Sequence, residues 1–323
     1  MLLSILAVVV GLALLVWSSD RFVDGASAIA ANLGMSPLII GITIVGMGTS
    51  APEMLVSGIA SWQGNPSLGV GNALGSNIAN IALILGVTAL VAPLVISSGL
   101  IRLELPVLMV GMLVALVLIL DGHLSFADGS ILLMLLFVVM GILLYDATHA
   151  RSSDALVAEL ADEVEADMPL GTAVIWFLIG LVVLLVSARM LVWGAVNVAT
   201  AIGVSDLVIG LTIVAIGTSL PELAASIVSA RKGESDMAVG NVIGSNLFNL
   251  FGVMALPGLI APAALPPAVL TRDYPLMLAL TAALFFMAFR FRASTTARRI
   301  NRFEGLALIA VFFAYQAWIL IDP

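Results

Sequence analysis

The sequence predicts an all-α integral membrane protein, with ten transmembrane helices arranged as two inverted five-helix repeats. Three observations support this fold class: an apolar composition, the number of membrane-length segments, and a repeat that aligns the two halves of the chain. Together they predict both the solvent around the helices and the internal symmetry of the protein.

The composition excludes a soluble globular protein. Of the 323 residues, 62% are hydrophobic and 10% are charged, and the mean hydropathy is +1.20. Soluble domains usually contain about 25% charged residues. The chain has no cysteine, which excludes disulfides, thiolate metal sites and thiol nucleophiles. A lipid bilayer is therefore the predicted solvent for most of the chain.

Ten segments are long and apolar enough to cross a bilayer, since each helix needs roughly 20 mainly apolar residues. The predicted spans are 1–19, 37–61, 68–93, 104–120, 129–146, 170–194, 206–230, 236–260, 273–290 and 303–321. The first segment lacks a basic region and a clear cleavage site, so we interpret it as a span and not as a signal peptide. An acidic loop at 147–169 separates the first repeat, 1–146, from the second, 170–323.

The basic residues predict the orientation of the chain, because Lys and Arg in loops favour the cytoplasm. One orientation collects ten of the twelve basic residues on one side. These are Arg21, Arg102, Arg151, Arg231, Lys232, Arg290, Arg292, Arg298, Arg299 and Arg302. We therefore expect the 147–169 loop inside the cell and both termini outside. Arg189 falls within or near the sixth span, where we expect it to pair or to reach the membrane interface.

The internal repeat is the strongest signal in the sequence. Residues 41–80, GITIVGMGTSAPEMLVSGIASWQGNPSLGVGNALGSNIAN, align without a gap to residues 210–249, GLTIVAIGTSLPELAASIVSARKGESDMAVGNVIGSNLFN, at a constant offset of 169. Eighteen of the 40 aligned positions are identical. Because each half has an odd number of spans, the second half must enter the membrane from the opposite face. Inverted repeats of this kind are typical of secondary transporters, whose sites lie near the midplane on broken helices.

The hexapeptide GTSAPE, residues 48–53, and its counterpart GTSLPE, residues 217–222, place polar groups inside membrane-length segments. Pro52 has no N–H and crowds the preceding turn, so we expect neighbouring main-chain carbonyls to turn away from the helix axis. Thr49 and Glu53 are four residues apart and therefore share one helix face. A single kink of this type is usually a packing feature, but the doubled motif favours a binding site.

A second repeated motif, GNALGSNIAN and GNVIGSNLFN, adds hydroxyl and amide side chains. They are Ser76, Asn77 and Asn80 in the first half and Ser245, Asn246 and Asn249 in the second. Neither repeated motif contains His or Cys. A donor set made only of oxygen suits calcium, which takes six to eight oxygen ligands, and sodium, rather than zinc or copper.

Glu53 and Glu222 are the acids that we place deep in the predicted spans. An ionised carboxylate at the bilayer centre costs at least ~2.5 kcal/mol, so two of them in one bundle require a counterion or a proton. Their combined charge of −2 matches one divalent cation, and the same oxygens could instead hold sodium ions or protons. Exclusive binding of one set or the other would produce antiport, which is not an enzymatic reaction.

Two other functions stay open from the residues alone. A proton/calcium antiporter, or an antiporter for another divalent cation, would use the same fold and the same donors. An intramembrane hydrolase is the alternative from another class, because polar residues inside spans can be catalytic. The chain lacks a plausible Ser–His or paired-Asp arrangement for such an enzyme.

At these residues the chain resembles the sodium/calcium exchanger family of the calcium/cation antiporter superfamily, particularly its compact bacterial and archaeal members. The resemblance covers almost the whole chain and rests on the paired GTSxPE and GNxxGSNxxN stretches. It implies a multi-pass protein of the cell membrane that exchanges sodium for calcium by alternating access. We expect this protein to function as a monomer in lipid, without a cofactor or a nucleic-acid partner. It also implies that spans 2, 3, 7 and 8 form the ion-binding core and that spans 1 and 6 slide past it.

The resemblance implies a set of metal ligands in each half. In the first half they are Gly46 (main-chain carbonyl), Thr49, Ser50, Glu53, Ser76 and Asn80, and in the second Ala215 (main-chain carbonyl), Thr218, Ser219, Glu222, Ser245 and Asn249. Calcium is expected between the two glutamates, with main-chain oxygens of Thr49 and Thr218, and sodium at the flanking Ser and Thr groups. Potassium-dependent members resemble this pattern but carry Asp where Asn249 stands, which argues against potassium cotransport.

Overall fold

A computed structural model of the protein describes residues 1–95, 103–149, 168–203, 215–289 and 299–321. The helices in these ranges are α1 (Leu2–Leu33), α2 (Pro37–Thr49), α3 (Ala51–Trp62), α4 (Pro66–Val91), α5 (Glu104–Ile119), α6 (Phe126–His149), α7 (Leu170–Ala201), α8 (Ala215–Thr218), α9 (Leu220–Arg231), α10 (Ser235–Ile260), α11 (Val269–Ala288) and α12 (Arg302–Ile321). The strands are β1 (Leu94–Val95), β2 (His123–Leu124), β3 (Ala263–Ala264) and β4 (Arg299–Ile300). The predicted helical class is confirmed.

Seven of the described helices are long and apolar enough to cross a membrane, and the bent pair α2 and α3 makes an eighth if it is counted as one span. α5 is a shorter apolar helix. The first part of the span predicted at 206–230 lies outside the described ranges, and so does most of the loop predicted at 147–169. The described residues therefore form a membrane protein with several apolar spans, and the count of ten stays a prediction.

Two predicted spans are shorter than the helices that contain them. α1 continues past residue 19 to Leu33, and α7 continues past residue 194 to Ala201. The extension of α1 carries charged residues, but its apolar side is buried against α7, where the rings of Phe22 and Phe177 stack 4.8 Å apart. Burial of one helix face against a neighbour stabilises the extra turns, and hydropathy averaged along the chain does not detect it.

α1 and α7 pack along most of their lengths and run antiparallel. A Cβ atom built on Gly25 in α1 would lie 2.8 Å from the main-chain oxygen of Ala173, near the start of α7. A Cβ atom built on Gly194, near the end of α7, would lie 2.6 Å from the main-chain oxygen of Ser4 in α1. Glycine therefore allows the two backbones to touch, as is common between membrane helices.

α4 and α10, which carry the GNxxGSNxxN motifs, lie at the centre of the bundle. Of their most apolar 18-residue windows, 78% and 83% are buried inside the protein. The corresponding share is between 22% and 39% for the five other long spans of the described chain. The motif-bearing helices are therefore enclosed by the rest of the protein, and the other long spans face its surroundings.

Two short antiparallel strand pairs connect the halves of the chain. β1 pairs with β4, with Leu94 opposite Ile300, and β2 pairs with β3, with His123 opposite Ala264. The first pair joins the end of α4 to the start of α12, and the second joins the end of α10 to the start of α6. Each pair thus fixes one helix end from each half at the same level of the molecule.

An ion-pair cluster joins α1 to the turn after α9. The Nζ atom of Lys232 lies 2.6 Å from an Asp20 carboxylate oxygen and 2.5 Å from one of Asp24. Partial burial lowers the pKa of Lys232, but the two aspartates outweigh this effect and the pKa lies above its ordinary value. This contact agrees with the predicted placement of Arg21 and Lys232 on one side of the membrane.

Candidate cation-binding site

Both hexapeptides interrupt a helix at the same position. α2 ends at Thr49, α3 begins two residues later with a proline in its first turn, and the two helices are bent by 41°. In the second half, α8 ends at Thr218 and α9 likewise begins two residues later, at Leu220. The linking residues, Ser50 (φ −82°, ψ 0°) and Ser219 (φ −94°, ψ 7°), lie in the sparsely allowed region between helix and strand. The predicted breaks are confirmed.

A further irregularity was not predicted from the sequence. α4 changes from α-helix to π-helix over Asn80–Leu85, and α10 does so over Asn249–Val253. Both of these π-helical segments begin at the last asparagine of the GNxxGSNxxN motif, and π-helical turns also occur at Gly41–Val45 in α2 and Val269–Asp273 in α11. π-Helical turns are rare and often occur at functional sites, because the wider turn changes the direction of side chains and frees main-chain groups.

The structure buries almost all of the predicted ligand residues. Glu53 and Glu222 are each only 1% exposed. The other buried members of the predicted set are Gly46, Thr49, Ser50, Ser76, Asn80, Ser219, Ser245 and Asn249. Thr218 is half-buried, and Ala215 is the first residue of α8. Two acids and seven neutral polar side chains are thus removed from solvent, which is costly unless other groups satisfy them.

Six buried oxygen atoms of this set have no hydrogen-bond partner within the described chain. They are Ser50 Oγ, Glu53 Oε2 and Asn80 Oδ1 in the first half and Ser219 Oγ, Glu222 Oε2 and Asn249 Oδ1 in the second. Each atom in the first group has its equivalent in the second, 169 residues later. Buried polar atoms in native proteins are nearly always paired, so this group is suited to a ligand that binds several oxygen lone pairs at once. A bare cation has that property.

The side chains of the two halves meet directly. The Thr49 hydroxyl lies 3.2 Å from Asn241 Oδ1 and 3.3 Å from Ser245 Oγ, both on α10. Asn80 Nδ2 donates to Asn246 Oδ1 at 3.0 Å. The predicted residues from α2 and α4 therefore share one site with those from α10.

The two acids also belong to this site. Asn241, whose Oδ1 atom lies 3.2 Å from the Thr49 hydroxyl, donates through Nδ2 to the main-chain oxygen of Glu222, and Asn72 donates to that of Glu53. Two buried carboxylates in one site repel each other, because the interior has a low effective dielectric constant. A cation between them would remove this repulsion, so the arrangement favours cation binding.

Two asparagines at the site were missing from the predicted ligand set. Asn72 Nδ2 donates to the main-chain oxygen of Glu53 at 3.1 Å, and Asn241 Nδ2 donates to that of Glu222 at 3.3 Å. Both occupy the GN position of the repeated motif, and their identity at the 169-residue offset was the available signal. They hold each motif helix against the helix that carries its acid, so they support the ligands.

Two further acids are buried in the described spans, in addition to the two predicted. Glu104 is 3% exposed and Asp273 is 9% exposed. Asp273 Oδ1 accepts hydrogen bonds from Arg272 Nε at 2.8 Å and from the Tyr315 hydroxyl at 3.0 Å. Glu104 lies in the first turn of α5, where the helix dipole favours a negative charge. Asp273 is therefore paired near the start of α11.

Comparisons with known proteins agree with this geometry. The family model described as sodium/calcium exchanger protein matches residues 3–145 and 172–321. The chain is 48% identical to CaxA of Alkalimonas amylolytica, provisionally named an antiporter, over 98% of each chain. It is 44% identical to the inner membrane protein YrbG of Escherichia coli strain K12, over 90% of each chain.

A solved structure extends the comparison to the fold. The sodium-calcium exchanger NCX_Mj, soaked with sodium and calcium, superposes with a TM-score of 0.83 at 31% identity and covers 98% of each chain. The family model thus accounts for both halves, and the solved exchanger for nearly the full length. The chain belongs to the sodium/calcium exchanger protein family.

Proposed function

We propose that the protein exchanges sodium for calcium across the cell membrane by alternating access, with the cations held between the two repeated motifs. The observation that carries this proposal is the group of six buried oxygen atoms without partners, three from each half. Calcium takes six to eight oxygen ligands in flexible geometry, and carboxylate, hydroxyl and amide oxygens are suitable donors. Glu53 and Glu222 would bind calcium between them and balance its charge.

The other predicted ligands would complete the sites. Main-chain oxygens of Thr49 and Thr218 would add to the calcium site, and the carbonyls of Gly46 and Ala215 would serve sodium together with neighbouring hydroxyls. Ser245 Oγ lies 3.3 Å from the Thr49 hydroxyl, and Ser76 is its counterpart at the 169-residue offset on the other central helix. Sodium and calcium would compete for one set of oxygens, so each ion would leave as the other binds.

The charge of the site provides a reason for coupled exchange. Without a cation, the site holds two carboxylates in a buried position, which is the costly state. Binding of one calcium ion or of sodium ions lowers that cost, and only then would the transition between the two access states be feasible. A carrier that crosses only when loaded moves one ion in exchange for the other.

Several observations support ten spans in two inverted repeats, divided at 1–146 and 170–323. α1 and its counterpart α7 run antiparallel, as inversion requires. Strand pairing puts the end of α4 level with the start of α12, and the end of α10 level with the start of α6. Ten spans with both termini outside the cytoplasm satisfy both constraints. No contact described above requires a second copy, so we propose a functional monomer.

The decisive experiment is uptake of calcium-45 by proteoliposomes loaded with sodium, with the membrane potential clamped. We expect calcium uptake to follow the outward sodium gradient and to stop when the gradient is abolished. Uptake driven by a proton gradient without sodium would identify a proton/calcium antiporter instead. Cleavage of a peptide in detergent, without ion flux, would identify a hydrolase.

The proposed orientation predicts a labelling pattern. In this cysteine-free chain, Ser153→Cys in the 147–169 loop should react with an impermeant thiol reagent only after cell lysis. Gln63→Cys, at the exposed turn after α3, should react in intact cells. The reverse pattern would invert the orientation, and labelling of both in intact cells would show that the number of intervening spans is even.

The neutral side chain of Asn249 predicts that transport does not require potassium. Asn249 is 1% exposed, and its Oδ1 atom has no partner among the described residues. An amide adds no charge to offset the desolvation of another monovalent ion once calcium is bound. Calcium flux in proteoliposomes should therefore be unchanged when choline replaces potassium, and Asn249→Asp should alter the ion dependence. A strict potassium requirement in the unmodified protein would contradict this interpretation.

A further inference from the structure

Arg189 lies within the long apolar helix α7, and its side chain is exposed in the described structure. It is 19 residues after the start of α7 and 12 before its end, which corresponds to about 18 Å from the nearer end. We expected Arg189 to pair or to reach the membrane interface, and within the described chain it makes no hydrogen bond or ion pair. Ionisable residues inside spans usually pair or face a cavity, and they often mark ion pathways.

Arg189 lines a cavity next to the candidate cation site. Pro52, Thr218 and Pro221 form part of the same wall. The two prolines directly precede the acids of the site, and Thr218 is one of its predicted ligands. α7 is in contact with this region, because a Cβ atom on Gly217 would collide with the side chain of Val192, one turn after Arg189. Arg189 thus places a permanent positive charge on the wall of a cavity that Thr218, a predicted ligand, also lines.

The corresponding position in the first half has the opposite charge. Asp20 in α1 aligns with Arg189 at the offset of 169, and it forms the 2.6 Å ion pair with Lys232. The repeated helix therefore does not need a cation at this position for packing. This difference between the two repeats indicates that the positive charge of Arg189 is specific to the second half, where it faces the cavity.

We propose that Arg189 sets the cation affinity of the site and its preference between calcium and sodium. Its guanidinium repels bound cations across the cavity, which weakens binding and favours release. The repulsion is twice as large for a divalent ion as for one monovalent ion, so Arg189 reduces the preference for calcium over a single sodium ion. This inference rests on the proposed function, since it assumes that the six oxygens bind these ions.

Equilibrium binding of calcium-45 to the protein in detergent tests the proposal without requiring transport. Arg189→Gln should lower the Kd for calcium by about three- to tenfold. The Kd for sodium, measured by competition with calcium-45, should fall by a smaller factor for each sodium ion bound. Arg189→Lys should keep both constants close to those of the unmodified protein. Unchanged calcium affinity in Arg189→Gln, or equal gains in both variants, would overturn the proposal.

Chemical modification of a cysteine at position 189 distinguishes the effect of charge from the effect of side-chain size. The chain has no native cysteine, so Arg189→Cys offers a single thiol. A reagent that attaches a cationic ethylammonium group should raise the Kd for calcium, and a neutral reagent of similar size should not. Equal effects of both reagents would contradict the proposal. If calcium binds as expected but sodium does not drive its transport, the proposed function fails and the role of Arg189 stands.

Discussion

Glu53→Gln and Glu222→Gln are each expected to abolish calcium transport in a protein that still folds. Both carboxylates are buried, and each has one oxygen without a partner in the described chain. Glutamine keeps the size of the side chain but halves the charge that offsets calcium desolvation. Leaving a buried charge without its partner typically costs 3–5 kcal/mol, so calcium flux should fall at least ~100-fold.

The measurement is calcium-45 uptake in proteoliposomes at equal protein content, with size-exclusion chromatography as the test of folding. Glu234→Gln is a matched control, because Glu234 is a partly buried acid on the turn after α9, where its carboxylate accepts a 3.5 Å hydrogen bond from Ser27. Burial raises the pKa of Glu234, so the control also removes a charge from a partly desolvated position. The control should retain flux. Near-normal flux in either site variant would place the calcium site elsewhere.

The repeated motifs allowed most of the site to be predicted, because they contain identical chemistry at a constant offset. Glu53 and Ser50 stood out as polar residues in an apolar segment, and their partners at 222 and 219 removed the ambiguity of a single kink. Composition alone predicted the membrane environment. These features are local or periodic along the chain, so they can be recognised without knowledge of which helices pack together.

The remaining features depend on tertiary packing. The turns of α1 beyond residue 19 are buried against neighbouring helices, whereas its end at Leu33 has a local signal, because Gly34 follows with a positive φ. The π-helical turns that begin at Asn80 and Asn249 have no strong signal in local propensity. The supporting role of Asn72 and Asn241 depends on which main-chain oxygen each amide reaches, and sequence spacing cannot show this across different helices.

The contact between α1 and α7 gives the second large expected effect: Gly180→Val should block transport and leave calcium binding intact. A Cβ atom on Gly180 would lie 2.5 Å from the main-chain nitrogen of Phe22, and backbone cannot rotate away as a side chain can. The helices must therefore separate or shift, at a cost of about 1–3 kcal/mol for overpacking of this kind. The resemblance to sodium/calcium exchangers implies that these two helices slide past the core, so the shift should disturb the cycle rather than the site.

Gly171→Val provides the matched control on the same helix, because a Cβ atom there would have no neighbour within 4 Å. We expect calcium-45 uptake to fall roughly tenfold or more in Gly180→Val, with a Kd for calcium within about threefold of the unmodified protein. Gly171→Val should change neither quantity. Normal uptake in Gly180→Val would mean that α1 and α7 tolerate separation during transport. Loss of calcium binding together with uptake would mean that the glycine contact supports the site itself, since the six unpartnered oxygens could then no longer converge on one cation.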